Sequence, residues 1–271
     1  MDKVREPAVS GQFYPSSVVQ LRRQITSFLS QDKEKTKVIG CMLPHAGYVY
    51  SGRVAVETLS AVEIKEKIVL LGPNHTGMGE PFSIMTSGVW QTPLGGVKIA
   101  SDLAKQILAN SKLLQEDDLA HMHEHSLEVE LPILQYFKSG IKIVPIAFLS
   151  DDTASLKQVG ADIASVINLS SQKDSVMLVA SSDMTHYEPL SVAEKKDAAA
   201  IEAILELNEE KLMQVIARFN ISMCGYAPVV VMLAASKLLG ATKARLIKYE
   251  TSAAASGDAT SVVGYAGIIV Y

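Results

Sequence analysis

The six histidines of this chain gather in short motifs instead of scattering. His45 lies in Pro44-His45-Ala46-Gly47-Tyr48 and His75 in Gly72-Pro73-Asn74-His75; His186 closes Ser181-Ser182-Asp183-Met184-Thr185-His186, and His121, His123 and His125 share one run. Imidazole is a common metal ligand and ionises near neutrality, so histidines in Gly/Pro-rich turns point to metal binding, proton transfer or both. Cys224 adds a soft donor. It sits in Ser222-Met223-Cys224-Gly225-Tyr226-Ala227-Pro228, a turn entering an apolar helix-like run, where a nearby helix N-terminus favours the thiolate. His45, His75 and Cys224 are therefore a candidate three-ligand set that leaves positions for water or substrate, as catalytic metal sites do. Two imidazoles with a carboxylate would point to non-haem Fe(II); a thiolate in the third place is softer and also admits Zn or Cu, so the donor set by itself leaves the metal open.

Asp183 and His186, three residues apart, suggest an acid/base pair in which the aspartate orients the imidazole. A helix-capping role for Asp183 is the structural alternative. His125 and Glu128, also three apart and followed by the apolar stretch 131–137, read as polar groups lining a pocket. His121 and His123 follow the acidic run Glu116-Asp117-Asp118 and read as solvated loop residues outside the site. Cys41, inside the apolar run 38–43, reads as a packing residue.

These motifs need a scaffold. Apolar spacing near 3.6, bounded by Gly, Pro or Ser, predicts helices over 18–30, 52–61, 102–110, part of 126–138, 153–168, 192–207, 209–218 and 228–239. Strand-length apolar runs cover 38–43, 67–71, 81–86, 142–148, 175–180, 244–251 and 261–270. The alternation predicts an α/β fold, a single domain over 1–271 with a central mixed, largely parallel sheet flanked by helices. His45, His75 and Asp183 each follow a predicted strand, and ligands of open α/β sheets bind outside the carboxyl ends of the strands.

The composition narrows the function. With 48% hydrophobic and 20% charged residues and a net charge of -4, there is no basic excess to attract nucleic acid. The apolar stretches, such as 229–235, fall well short of the ~20 residues a membrane span needs, and the first residues lack an apolar signal region. Two cysteines are too few for a disulfide framework, which with the missing signal predicts a cytoplasmic protein. The expected ligand is a small molecule or a peptide; no heptad or obvious apolar face declares an oligomeric state.

The motifs, taken together, resemble the Memo family over nearly the whole chain. The markers are Arg5-Glu6-Pro7-Ala8-Val9-Ser10-Gly11-Gln12-Phe13-Tyr14-Pro15, Pro44-His45-Ala46-Gly47-Tyr48, Leu71-Gly72-Pro73-Asn74-His75, Thr92-Pro93-Leu94-Gly95, Glu124-His125-Ser126-Leu127-Glu128, Ser181-Ser182-Asp183-Met184-Thr185-His186-Tyr187 and Met223-Cys224-Gly225. The resemblance implies a fold similar to the class III extradiol ring-cleaving dioxygenases. It also implies metal-ligand positions at His45, His75 and Cys224, with His125, Asp183 and His186 around them and His186 at the acid/base position. Those dioxygenases use a carboxylate as third ligand, and here Cys224 stands in its place. Radical-SAM and AMMECR-type proteins are the partners the family context implies. The leading expectation is a metal-dependent redox enzyme; the alternative, drawn from adaptor-like family members, is a non-catalytic peptide or small-ligand binding module using the same pocket. Metal-assisted hydrolysis, with His186 as base, ranks third.

Overall fold

The computed structural model describes residues 3–30, 34–169 and 173–271. Among them the strands are β1 (Val4–Arg5), β2 (Gly40–Leu43), β3 (Lys67–Pro73), β4 (Phe82–Ile84), β5 (Val89–Trp90), β6 (Val97–Ile99), β7 (Gln115–Glu116), β8 (Lys142–Phe148), β9 (Val176–Ser181), β10 (His186–Glu188), β11 (Ala244–Thr251) and β12 (Val262–Val270). The helices are α1 (Val18–Ser27), α2 (Tyr48–Ser60), α3 (Ser101–Asn110), α4 (Leu119–Met122), α5 (Glu130–Phe137), α6 (Thr153–Leu169), α7 (Leu190–Leu205), α8 (Glu209–Phe219), α9 (Tyr226–Leu238) and α10 (Ala253–Ser256).

β8, β3, β9 and β2 run parallel in that order and form the centre of the sheet. Their apolar sequences are buried nearly throughout, as expected for strands covered on both faces. β12 extends the sheet antiparallel to β2 and pairs in turn with β10 and β11. The α/β fold with a mixed, largely parallel sheet is thus as the alternating pattern predicts.

Two glycines locate the covering helices. A Cβ on Gly40 would fall about 3.1 Å from Met232 and Ser236 of α9, and one on Gly267 would fall 1.8 Å from Thr58 of α2. Gly40 is registered with Val270, three residues from Gly267, so the two glycines face opposite sides of the sheet. α9 and α2 therefore pack on opposite faces, each against a strand position kept free of side chain. On the α9 side, Gly160 lets α6 approach the backbone of α9, its Cβ position lying 2.8 Å from the Val231 carbonyl oxygen.

The structure differs from the sequence pattern mainly at element starts and in short strands. α2 begins at Tyr48 instead of residue 52, so the turn bearing His45 leads directly into a helix. α7 begins behind Pro189. β1, β5, β6, β7 and β10 have two or three residues each, too few for an alternating pattern to register. No described helix is long and apolar enough to cross a membrane.

Candidate metal centre

Parallel β2, β9 and β3 are neighbours, so the turns that leave their carboxyl ends meet: His45 follows β2, His75 follows β3 and Asp183 follows β9. A fourth segment, between α4 and α5, brings His125 to the same point. One ligand atom from each of His45, His75 and His125 lies within 4.8 Å of the others. The His75 and His125 rings stack, with centroids 4.7 Å apart at 19°, and His45 meets both edge-on at 5.2 and 5.5 Å. The cluster forms one wall of a cleft of about 580 Å³ whose other walls include Phe13, Tyr50, Asp183, His186, Tyr187 and Tyr265.

Each ring is held from behind. His45 Nδ1 lies 2.8 Å from Ser181 Oγ, and His75 Nδ1 lies 2.9 Å from Glu124 Oε1. The same Glu124 oxygen is 3.5 Å from His125 Nδ1, so one fully buried carboxylate serves two of the imidazoles. In both His45 and His75 the Nε2 atom is left for the cleft, the arrangement in which an outer hydrogen bond fixes the tautomer of a metal-binding histidine. Burial, followed by repulsion from His75, His125 and His186, holds the His45 pKa well below the usual imidazole value. Burial also lowers that of His125, with the charge of His75 adding to it. Neutral imidazoles of this kind are the ligating form. Three convergent nitrogen donors, two of them with prepared outer hydrogen bonds, fit a divalent metal of the Zn, Cu, Fe or Ni kind.

Cys224 reaches this cluster from the turn before α9. Its Sγ lies 3.3 Å from His45 Nε2 and accepts the Asp183 backbone N–H at 3.3 Å. Burial, and then the charge of Asp183, push its thiol pKa up, so without a metal the sulfur is a thiol beside a bare imidazole nitrogen. The geometry therefore gathers His45, His75 and His125 as the nitrogen set and puts Cys224 against one member of it; the sequence spacing had grouped Cys224 with His45 and His75 and left His125 at the pocket wall.

Asp183 Oδ1 accepts the backbone N–H groups of His45 at 2.8 Å and Ala46 at 3.3 Å, tying the end of β9 to the His45 turn. Burial brings its carboxyl up to about 6 against the opposing pull of those bonds. The ring of His186 is oriented by a different group from the one the spacing suggested: its Nδ1 donates to the Ser222 carbonyl oxygen at 2.8 Å and its backbone N–H to Ser222 Oγ at 2.8 Å. A carbonyl can only accept, so Nδ1 carries a proton, and Ser222 leaves the other ring nitrogen, Nε2, unengaged. Tyr187 beside it is exposed and has φ of 58°, a left-handed conformation uncommon for a bulky residue.

The N-terminal segment completes the site. Glu128, fully buried, receives Arg5 Nη1 at 2.5 Å, the N–H groups of Ala8 and Val9 at 2.7 and 3.0 Å, and the Tyr14 hydroxyl at 2.6 Å. The clamp seats Phe13 against His125 with ring centroids 4.9 Å apart. His123 is exposed, as its acidic surroundings suggest. His121 is not: it is fully buried on α4, against the Trp90 ring at 5.8 Å and beside Arg5, whose Nε donates to its carbonyl oxygen. An acidic flank does not reveal that α4 packs inward over the Arg5 clamp. Ser181, Ser222, Glu124 and Glu130 were also missed as supporting residues; Ser181 and Glu124 sit inside the histidine motifs, whereas Ser222 and Glu130 carry no signal of their own.

The description Memo-like protein fits a family model that matches residues 5–269. This chain belongs to the Memo family. Among its Memo relatives, a MEMO1 family protein of Methanocaldococcus jannaschii is 42% identical over 289 residues and covers all of both chains. One from Aquifex aeolicus is 42% identical over 269 residues, covering 98% of this chain and 99% of its own. The Memo chain also shares its fold with an uncharacterized protein from Escherichia coli K12, whose crystal structure superposes with a TM-score of 0.56 at 15% identity, over 85% of this chain and 98% of that one.

Proposed function

We propose that this Memo protein is a metal-dependent redox protein that acts on a small organic molecule in the cleft. The observation that carries the reading is the convergence of His45, His75 and His125, two of them oriented by outer hydrogen bonds that leave Nε2 for the cleft. The resemblance to extradiol dioxygenases favours Fe(II), with Cu or Zn as alternatives. Such an ion, when bound, supplies Lewis acidity and, for iron or copper, electron transfer.

The chain's own residues supply positioning and proton transfer. His45, His75 and His125 hold the ion, and Cys224, 3.3 Å from His45 Nε2, offers a thiolate at its margin. His186, its Nδ1 committed to Ser222, takes a proton from a substrate hydroxyl at Nε2. Asp183 keeps the His45 turn in place. Phe13, Tyr50, Tyr187 and Tyr265 give the cleft apolar surface that holds an organic ligand and displaces water.

Metal analysis of protein purified without oxygen tests the proposal. Wild type should carry close to one iron or copper per chain, His75→Ala should lose it, and the loaded wild type should consume oxygen with some member of a panel of phenolic and other hydroxylated compounds. Folded wild type that retains and takes up no metal would remove the redox reading and leave a ligand-binding module.

A further inference from the structure

Glu130 begins α5, five residues beyond His125, and is completely buried. The charged group that acts on it is Asp183, of like sign. Its Oε1 lies 2.8 Å from Ser181 Oγ, and its Oε2 has no hydrogen-bond partner among the described residues. A lone carboxylate in this place would forfeit its hydration with little in return.

The protons around Ser181 can be counted. Its hydroxyl oxygen has three neighbours, each at 2.8 Å: His45 Nδ1, the Ser126 carbonyl oxygen and Glu130 Oε1. A hydroxyl offers one proton and two lone pairs, and a carbonyl only accepts. The Ser181 proton therefore goes to Ser126, and the other two contacts must bring their own protons, one from His45 Nδ1 and one from Glu130. If Glu130 were a carboxylate, two protons at most would serve three contacts, and two acceptors would face each other at 2.8 Å.

We infer that Glu130 is a neutral carboxylic acid which, through Ser181, fixes His45 as its Nδ1–H tautomer with Nε2 bare toward the cleft. The 3.3 Å approach of Cys224 Sγ to that nitrogen fits a thiol donating to a bare imidazole nitrogen. Burial and the charge of Asp183 hold the Glu130 carboxyl well above the usual carboxylate range, in keeping with the proton count. Glu130 is thus a positioning residue that reaches His45 through one hydroxyl. Its effect on metal affinity rests on the proposed function; the tautomer and the protonated acid do not.

Metal-free full-length protein gives the test. Infrared spectra at pH 7 should show the carbonyl stretch of a buried protonated carboxyl that Glu130→Gln abolishes, and long-range proton–nitrogen NMR should show His45 protonated at Nδ1 in both wild type and Glu130→Gln. The variant is informative because a side-chain amide is neutral and can still donate an N–H to Ser181 Oγ, as the protonated acid does. Absence of the carboxyl band in folded wild type, or an Nε2–H His45, would overturn the inference. In a Co(II) titration, Glu130→Gln should stay within about threefold of wild type, while Ser181→Ala should weaken binding by about tenfold or more. A Glu130→Gln loss as large as that of Ser181→Ala would show that the charge of a carboxylate is what matters and would also overturn it. Failure of wild type to bind Co(II) would count against the metal site alone, since the two spectroscopic results stand without it.

Discussion

Glu124 grips His75 at two points, taking the backbone N–H through Oε2 at 2.5 Å and facing the ring Nδ1 through Oε1 at 2.9 Å. Burial pushes this carboxyl up, but the His75 bond and charge, the Ser126 N–H and His125 outweigh it and bring it to about 2. At neutral pH the group is an ionised anchor for two of the three imidazoles. Glu124→Ala should cost about 1–3 kcal/mol of stability for each buried donor left unpaired, and metal affinity should fall about 10–100-fold. Urea unfolding and metal titration of the same preparation check both; unchanged affinity in a destabilised variant would restrict Glu124 to a structural part.

The Arg5–Glu128 pair is buried on both sides, with side chains 5% and 0% exposed. Removing one partner strands the other charge, so Glu128→Leu should destabilise by about 3–5 kcal/mol, whereas Arg5→Met with Glu128→Leu should cost less than the two single changes added. Denaturant unfolding of the four proteins measures the coupling. Because the clamp seats Phe13 on His125, Glu128→Leu should also speed proteolytic cleavage within residues 6–14; a cleavage rate equal to that of wild type would show that the segment is held by its apolar contacts.

Most of the fold was readable because the central strands are uninterrupted apolar runs. β8 and β11 match the spans their sequences suggest, and β2, β3 and β9 differ by one or two residues at their ends. The convergence of His45, His75 and Asp183 followed from strand ends alone, since parallel neighbours must place their exits side by side. His125 was harder to place. It arrives from a loop between two short helices, and its position depends on Glu124 and on the packing of Phe13, long-range contacts that no local pattern encodes. The burial of His121 was hidden for a similar reason: in sequence it follows the acidic run Glu116-Asp117-Asp118 and is flanked by the exposed Met122 and His123, while its neighbours in space, Trp90 and Arg5, lie 31 and 116 residues away.

His121 gives the fold a pH dependence of definite sign. Burial first, and the charge of Arg5 second, bring its pKa down to about 4 from 6.5. Between those values the unfolded chain takes up a proton that the folded chain refuses, so stability falls as pH drops below about 6.5 and this loss levels off near 4. The full effect is of the order of 3 kcal/mol, at 1.36 kcal/mol per pKa unit. His121→Phe, which keeps an aromatic ring against Trp90, should remove that part of the slope. Unfolding free energies at pH 7, 6, 5 and 4 for both proteins test it; parallel curves would move the acid sensitivity to other groups.

Gly225 marks where α9 starts against the end of β9. A Cβ there would lie 2.2 Å from the Ser181 carbonyl oxygen and 2.5 Å from Ser182 Cβ, and the Gly225 N–H already donates to Ser182 Oγ at 3.0 Å. Neither obstacle is the free end of a flexible side chain, so Gly225→Ala must push the start of α9, and Cys224 with it, away from the sheet. Overpacking of this kind should cost about 1–3 kcal/mol. The displacement should also break the 3.3 Å approach of Cys224 to His45 and open the thiol to solvent. Thermal unfolding reports the first effect and the rate of reaction with a disulfide reagent the second, with Cys224→Ser in the same background separating Cys224 from the buried Cys41. A variant that is destabilised yet reacts no faster would mean that α9 shifts as a body with the His45 turn, so that the sulfur and the imidazole move together.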